Sequence, residues 1–172
     1  MGRAIVVADT SVLINFLRID RMDLIGAHPD SFIATDHVAA EIADTYPDQQ
    51  ARYSAALEAR QLAEHRIDDP AELELFLRMG ERGRLGAGER SAIAVALNRK
   101  CALAIDDSRA IQRAIEEAGI VGSTLSIVRT QDIVVQLIKQ GALSVEVADT
   151  IHADWAANHR FKLKITSFRG LL

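Results

Sequence analysis

Short apolar runs that alternate with amphipathic segments constrain the fold of this chain more than any other feature of its sequence. The runs AIVVA (4–8), SFIAT (31–35) and CALAI (101–105) are brief and largely apolar, as expected for buried strands. Each is followed by a segment with helical periodicity. This alternation predicts an α/β domain with a short, mainly parallel sheet flanked by helices. IVG (120–122) is a candidate fourth strand.

The segments between these runs carry apolar residues spaced three or four apart, which predicts helices. One helix is predicted to begin after Asp9 and another at about Asp36. Gly80, Gly83, Gly86 and Gly88 predict a flexible link. The remaining predicted helices are QQARYSAALEARQLAEH (49–65), DPAELELFLRM (69–79), ERSAIAVALNRK (89–100), SRAIQRAIEEA (108–118) and two over about 125–140 and 145–157.

Composition indicates a single cytoplasmic domain. With 172 residues, of which 49% are hydrophobic, the chain suits one domain (1–172) that ends in a tail over about 158–172. It contains no apolar run of roughly 20 residues, so no membrane span is expected. A single cysteine, Cys101, excludes an internal disulfide. The net charge of −4 disfavours a protein held to nucleic acid by overall positive charge, but it is compatible with an acidic metal site.

Acidic residues follow two of the predicted strands directly. Asp9 follows the first run, and the adjacent pair Asp106 and Asp107 follows CALAI. In a parallel sheet these carboxylates reach the same edge, where ligands of such sheets collect. Each aspartate alone could instead cap the helix that follows it. Clustered carboxylates repel one another, however, unless a cation lies between them.

Two glutamates are candidates for the same cluster. Glu41 lies beside the inward stripe that contains Val38 and Ile42, and Glu89 opens the alanine-rich helix. Each could alternatively start a helix or pair with an arginine. Oxygen ligands alone favour Mg²⁺ or Mn²⁺ over zinc.

Four motifs in order, VVADTSVLINFL, HVAAEI, GAGERSAIAVA and LAIDDSRA, closely resemble the PIN-domain nucleases, and among them the VapC-like toxins of toxin–antitoxin pairs. The resemblance implies a PIN-like three-layer sandwich. It also implies metal ligands at Asp9, Glu41 and Asp107, with Asp106 as a neighbouring or substitute ligand. Glu89 matches an acid at the start of a helix and joins Asp9, Glu41 and Asp107 in the expected catalytic set. A further acidic position of the family falls at Ser123 or Thr124.

The activity that the resemblance implies is hydrolysis of RNA phosphodiesters by a water activated on Mg²⁺ or Mn²⁺. The expected partners are an RNA substrate, a small antitoxin protein and a second copy of the chain in a homodimer. The antitoxin is expected to insert an arginine among the carboxylates. The candidate substrate-binding residues are Thr10, Ser11, Arg84, Arg90, Arg109 and Thr124.

Two other functions are compatible with parts of this pattern. A phosphatase would also place an aspartate after its first strand, but it needs a second one two residues later, where Ser11 stands. A catalytically weak or inactive PIN-like adaptor that binds RNA or protein gains support from the missing fourth acid. The three remaining core acids favour the enzyme.

Overall fold

A parallel five-stranded sheet forms the centre of the described part of the chain, residues 2–172 of the computed structural model. Its spatial order is β3–β2–β1–β4–β5. Val6 pairs with Phe32 on one side and with Ala102 on the other. The strands are β1 (Ile5–Ala8), β2 (Ser31–Thr35), β3 (Ala63–His65), β4 (Ala102–Ala104) and β5 (Ile127–Val128).

Helices follow every strand, and some follow one another directly. Two 3₁₀ turns, Pro47–Gln49 and Phe168–Leu171, complete the regular structure of residues 2–172. The helices are α1 (Thr10–Arg18), α2 (Met22–Ala27), α3 (Asp36–Thr45), α4 (Gln50–Glu58), α5 (Pro70–Glu81), α6 (Ala87–Arg99), α7 (Ser108–Ile120), α8 (Thr130–Lys139) and α9 (Val145–Asn158).

Two hydrophobic cores lie on opposite faces of the sheet. Successive strand residues point to opposite faces, so Val6 belongs to one core and its neighbour Val7 to the other. The first core packs against α1–α4, α8 and α9 and contains Trp155, whereas the second packs mainly against α6 and α7. This three-layer α/β/α arrangement confirms the predicted fold class.

The order of the strands locates the edge at which a ligand site is expected. From β1 the chain moves outward to β2 and β3, and then returns to place β4 on the other side of β1. The Asp9 N–H donates to the Ala104 carbonyl at 2.8 Å, so the ends of β1 and β4 are joined directly. Open α/β sheets bind ligands where the strand order reverses in this way, at the carboxyl ends of the strands.

Two predicted elements were wrong. The helix predicted over 49–65 ends at Glu58, and the chain turns at Arg60 (φ 57°) to enter β3 as an edge strand. The strand predicted at 120–122 is wrong because α7 continues to Ile120, and the true last strand, β5, lies within the helix predicted over 125–140. Both errors concern strands of two or three residues, which are too short to show an alternating pattern.

The C-terminal segment, predicted as a tail, folds back onto α9. The Ser167 hydroxyl and the Phe168 N–H donate to the two carboxylate oxygens of Asp149 at 2.7 and 2.8 Å. These bonds hold the pKa of Asp149 below its usual value. Phe168 is fully buried. Among residues 2–172, none of the helices combines the length and the apolar character that crossing a membrane requires.

Candidate functional site

Asp9 directly follows β1 and is the most buried of the predicted site acids, with 2% of its surface exposed. Its Oδ2 accepts hydrogen bonds from the Ser11 hydroxyl at 2.6 Å and the Ser11 N–H at 3.1 Å, which caps α1. Among the described residues, its buried Oδ1 finds no hydrogen-bond donor. Burial raises the pKa of Asp9, although the bonds from Ser11 oppose this shift. One carboxylate oxygen is therefore left available to a ligand.

Glu41 reaches the same edge from α3. The Thr10 hydroxyl donates to Glu41 Oε2 at 3.1 Å, so the residue after Asp9 orients the second acid. Gly88 of α6 lies against the same oxygen, and a Cβ at this position would collide with Glu41 Oε2. The absence of a side chain at Gly88 thus leaves room for the Glu41 carboxylate.

Glu89 and Asp107 begin the two helices on the other face of the sheet. Glu89 Oε2 accepts from the Gly86 N–H at 3.0 Å at the start of α6, and Asp107 Oδ1 accepts from the Ala110 N–H at 2.8 Å at the start of α7. Burial raises the pKa of Glu89, and the charges of Asp9, Asp107 and Glu41 raise it further. The other three predicted catalytic acids therefore lie near enough to Glu89 for their charges to disfavour its ionisation.

Asp106 has different surroundings from its neighbour Asp107. Its Oδ1 accepts from the Thr130 N–H at 3.0 Å, and its Oδ2 accepts from the Thr130 hydroxyl and from Asn15 Nδ2. Burial raises the pKa of Asp106, and the bonds from Thr130 partly offset this. Because both oxygens are already hydrogen-bonded, Asp106 connects β4 with α1 and α8.

The predicted substrate-binding residues are divided among several places. Thr10 and Ser11 bind the carboxylates of Glu41 and Asp9, as described. Arg84 and Arg109 line a cavity of about 830 Å³ together with Glu89 and Asp107.

Two of the candidates, Arg90 and Thr124, lie outside this cavity. Arg90 packs over the Phe76 ring, with its guanidinium carbon 4.4 Å from the ring centre, and it does not line this cavity. Thr124 precedes β5 and so lies at the amino-terminal edge of the sheet, opposite the acids. The residue that follows the carboxyl end of β5 and bonds Asp106 is Thr130, because β5 lies later in the chain than predicted.

Sequence reasoning missed three residues that organise the site. Asn15 bonds Asp106 across 91 positions, and Thr130 does so across 24. Gly88, predicted as part of a flexible link, lies inside α6. An asparagine on the buried face of α1 was the one available signal, since a buried amide needs polar partners.

A divalent cation suits the chemistry of these donors. Asp9 Oδ1 is a buried carboxylate oxygen with free lone pairs, and hard cations such as Mg²⁺ take oxygen ligands. Within residues 2–172, no group of three or more His, Cys, Asp or Glu side chains is already placed around a common metal position. The residues therefore fit a cation by type and burial, and joint binding requires side chains to move.

Comparison with known proteins assigns the chain to a family. The family model DUF3368, described as a PIN domain, matches residues 5–163. A solved PilT N-terminus domain protein from the hyperthermophilic archaeon Sulfolobus solfataricus P2 is 16% identical, with a TM-score of 0.49 over 75% of this chain and 89% of that one. No curated protein matches the chain. Because the family model spans most of the sequence, the chain belongs to the PIN-domain family.

Proposed function

We propose that this protein is an endoribonuclease that depends on Mg²⁺ or Mn²⁺ and acts as the toxin of a type II toxin–antitoxin pair. PIN-domain proteins are generally nucleases and typically use divalent metals. The observation that carries the proposal is the Asp9 carboxylate, whose buried Oδ1 has no donor within residues 2–172. A buried ionised oxygen is costly without a partner, and a cation is the partner that a cluster of acids attracts.

Asp9, Glu41 and Asp107 are the proposed metal ligands. A cation held by these residues would lower the pKa of a bound water and would stabilise negative charge on the phosphate of the substrate. Ser11 and Thr10 hold the Asp9 and Glu41 carboxylates in place through the bonds described above. Glu89, whose pKa is raised, is the proposed group that holds or passes a proton at Oε1, because Gly86 already bonds Oε2.

We choose Asp107 over Asp106 as the third ligand. Asp106 would have to give up bonds from Thr130 or Asn15, and each broken bond to a buried carboxylate costs free energy. Asp107 is exposed, and its contact with the Ala110 N–H occupies only Oδ1. Its side chain can therefore turn toward Asp9 at small cost.

An inactive RNA- or protein-binding adaptor is the second candidate. The resemblance implies a further acid near the last strand, but the residue that stands where β5 ends is Thr130. A hydroxyl is a weaker metal ligand than a carboxylate. Fewer acids would then hold the metal, and its affinity would fall.

The proposed partners are an antitoxin and a second copy of the chain. The acids around Asp9 would attract a guanidinium as they attract a metal, so an arginine of the antitoxin could block the site. Leu73 and Leu77, one turn apart on α5, are 37% and 62% exposed and supply apolar surface for a contact between two chains.

Cleavage of a mixed RNA pool tests the proposed activity. We expect the protein to cut RNA with Mg²⁺ or Mn²⁺ and to stop when EDTA is added, whereas Glu41→Gln should leave the RNA intact under every condition. Asp23→Asn, which removes an exposed carboxylate of α2 that pairs with Arg21, serves as the control and should cut like the wild type. Cleavage that persists in EDTA or in Glu41→Gln would overturn the assignment, and no cleavage by the wild type would favour the adaptor.

A further inference from the structure

We propose that Arg84 and Arg109, here called the arginine pair, bind phosphates of a single-stranded RNA segment beside the phosphate held at the acids. The inference rests on the proposed function for the identity of the substrate, and it adds a second binding site to it. It depends on the cavity, on the lack of ion-pair partners for the two arginines, and on a buried carboxylate that supports them.

The cavity is lined by both acidic and basic side chains. Its volume is about 830 Å³, and its charged lining consists of Glu89, Asp107, Glu116, Arg84, Arg109 and Arg113. Pockets that enclose small ligands measure roughly 300–1,000 Å³, so this one has room for a short piece of a single strand. A phosphodiester chain can meet both kinds of charge, because one phosphate can contact the arginines while its neighbour lies at the acids, where the proposed cation would hold it.

The positions along α7 set the direction of this strand. Asp107 caps the helix and Arg109 lies in its first turn. Arg113 lies six residues beyond Asp107, which corresponds to a rise of about 9 Å along the axis. Arg113 is paired with Glu117, so the arginine of α7 that a strand starting at the acids can reach is Arg109.

Both members of the pair are available to a ligand. Arg84 and Arg109 are exposed, and neither makes an ion pair with any carboxylate of residues 2–172. Arg84 also has a left-handed backbone (φ 74°), directly after Gly83 (φ 67°). Such a conformation costs a non-glycine residue free energy and persists where the surroundings impose it. Its surroundings here are the loop between α5 and α6, which lies against α7.

Glu117 anchors that loop to α7. Its carboxylate is fully buried and accepts from Arg78 at 2.9 Å, Arg82 at 3.1 Å and Arg113 at 3.0 Å. Arg113 in turn donates to the Gly83 carbonyl at 3.3 Å. One carboxylate thus faces three guanidinium groups, which leaves excess positive charge beside the cavity. It also ties the backbone next to Arg84 to the helix that carries Arg109.

Binding of RNA without cleavage tests the pair separately from the nuclease activity. The probe is a fluorescent single-stranded RNA of 12 nucleotides, titrated in EDTA with Asp9→Asn protein. The test protein adds Arg84→Ala and Arg109→Ala. The control adds Arg160→Ala and Arg169→Ala instead, which removes the same charge far along the chain. Thermal unfolding of each protein verifies that it is folded.

We expect the test protein to bind RNA about tenfold or more weakly than the control. The slope of the logarithm of the association constant against the logarithm of the salt concentration should become less steep by about 1.4. Each lost phosphate contact in a single strand contributes about 0.7 to this slope. Equal affinities and slopes would overturn the arginine pair and leave the nuclease proposal standing, and so would the lack of binding by either protein. Tighter binding of a duplex of the same sequence would overturn the single-strand assignment. A loss of binding in the test protein, combined with no cleavage by the wild type, would keep the pair and overturn the nuclease.

Discussion

Two buried carboxylates in this protein differ in the partners that the fold gives them. Glu117 is fully buried and accepts hydrogen bonds from three arginines. Asp9, 2% exposed, is bonded by the neutral donors of Ser11, and its Oδ1 finds no donor within residues 2–172. Burial raises the pKa of both carboxyl groups. At Glu117 the bonds from Arg78 and Arg113 outweigh burial, so its pKa lies below the usual value. At Asp9 burial prevails, and its pKa lies above the usual value.

The difference shows which charge the fold itself compensates. Arginines from α5 and α7 supply the counter-charge of Glu117, so this acid stabilises the folded chain. At Asp9 the neighbouring charge raises the pKa and comes from another acid, Glu41, and the charge of Asp9 in turn raises the pKa of Glu89. Structural ion pairs and functional sites both contain buried acids, and the presence of a counter-charge within the fold separates the two.

The largest effect is expected for Asp9→Asn. Removing the charge while keeping the shape should lower metal-dependent RNA cleavage by at least about 100-fold, since the lost group contacts the proposed cation. Glu117→Gln, assayed at a temperature where it stays folded, should keep most of the activity. Initial rates of both variants measure this. Activity of Asp9→Asn within tenfold of the wild type would contradict the distinction.

The free energy of unfolding should be lowered more by Glu117→Gln than by Asp9→Asn, the reverse of their effects on activity. Glu117→Gln leaves three guanidinium groups without their carboxylate, and breaking a buried ion pair costs about 3 kcal/mol. Because the arginines are partly exposed, the loss should lie at or below that value. Asp9→Asn should leave the metal-free protein equally or more stable, since it removes repulsion. Urea unfolding in EDTA measures both, and a more stable Glu117→Gln protein would be the contrary result.

Gly88→Ala tests the position of Glu41. The added Cβ would collide with Glu41 Oε2, so the carboxylate must move, and cleavage should fall by about 10- to 100-fold. Gly119→Ala, where a Cβ meets no atom of the described residues within 4 Å, is the matched control. Shortening the acid in Gly88→Ala/Glu41→Asp should restore part of the activity. If the double variant regains no activity and its melting temperature is lower than that of the wild type, the loss in Gly88→Ala comes from a packing defect and not from the position of Glu41.

The smallest effect concerns pH. The raised pKa of Asp9 means that the metal-free folded state binds its proton more tightly than the unfolded chain. Stability therefore falls as pH rises from about 4 through the raised value, and Asp9→Asn should flatten this fall. Glu117 acts oppositely, because its stabilisation is present above the unfolded pKa and is lost as pH falls through the lowered value. Unfolding at several pH values in EDTA, and again with Mg²⁺, measures both slopes. Parallel curves for wild type and Asp9→Asn would contradict the interpretation.

Much of the fold and part of the site followed from the sequence alone. The runs that became β1, β2 and β4 are apolar over consecutive residues, and the carboxylates that end β1 and β4 directly follow them in the chain. The order of residues therefore suffices to place Asp9, Asp106 and Asp107 at one edge of a parallel sheet. Glu41 and Glu89 could be placed beside helical stripes because helical periodicity is local.

The tertiary structure decided the features that depend on distant residues. It placed β3 and β5, whose two or three residues carry too little pattern, and so it separated Thr124 from the acids. It also gave Asp106 the partners Asn15 and Thr130, gave Glu117 the partners Arg78 and Arg82, and set Gly88 against Glu41. Local periodicity determines which residues form an element and which way they face. Which acid receives a counter-charge depends on contacts between elements that lie far apart in the chain, and these form only when the helices pack on the sheet.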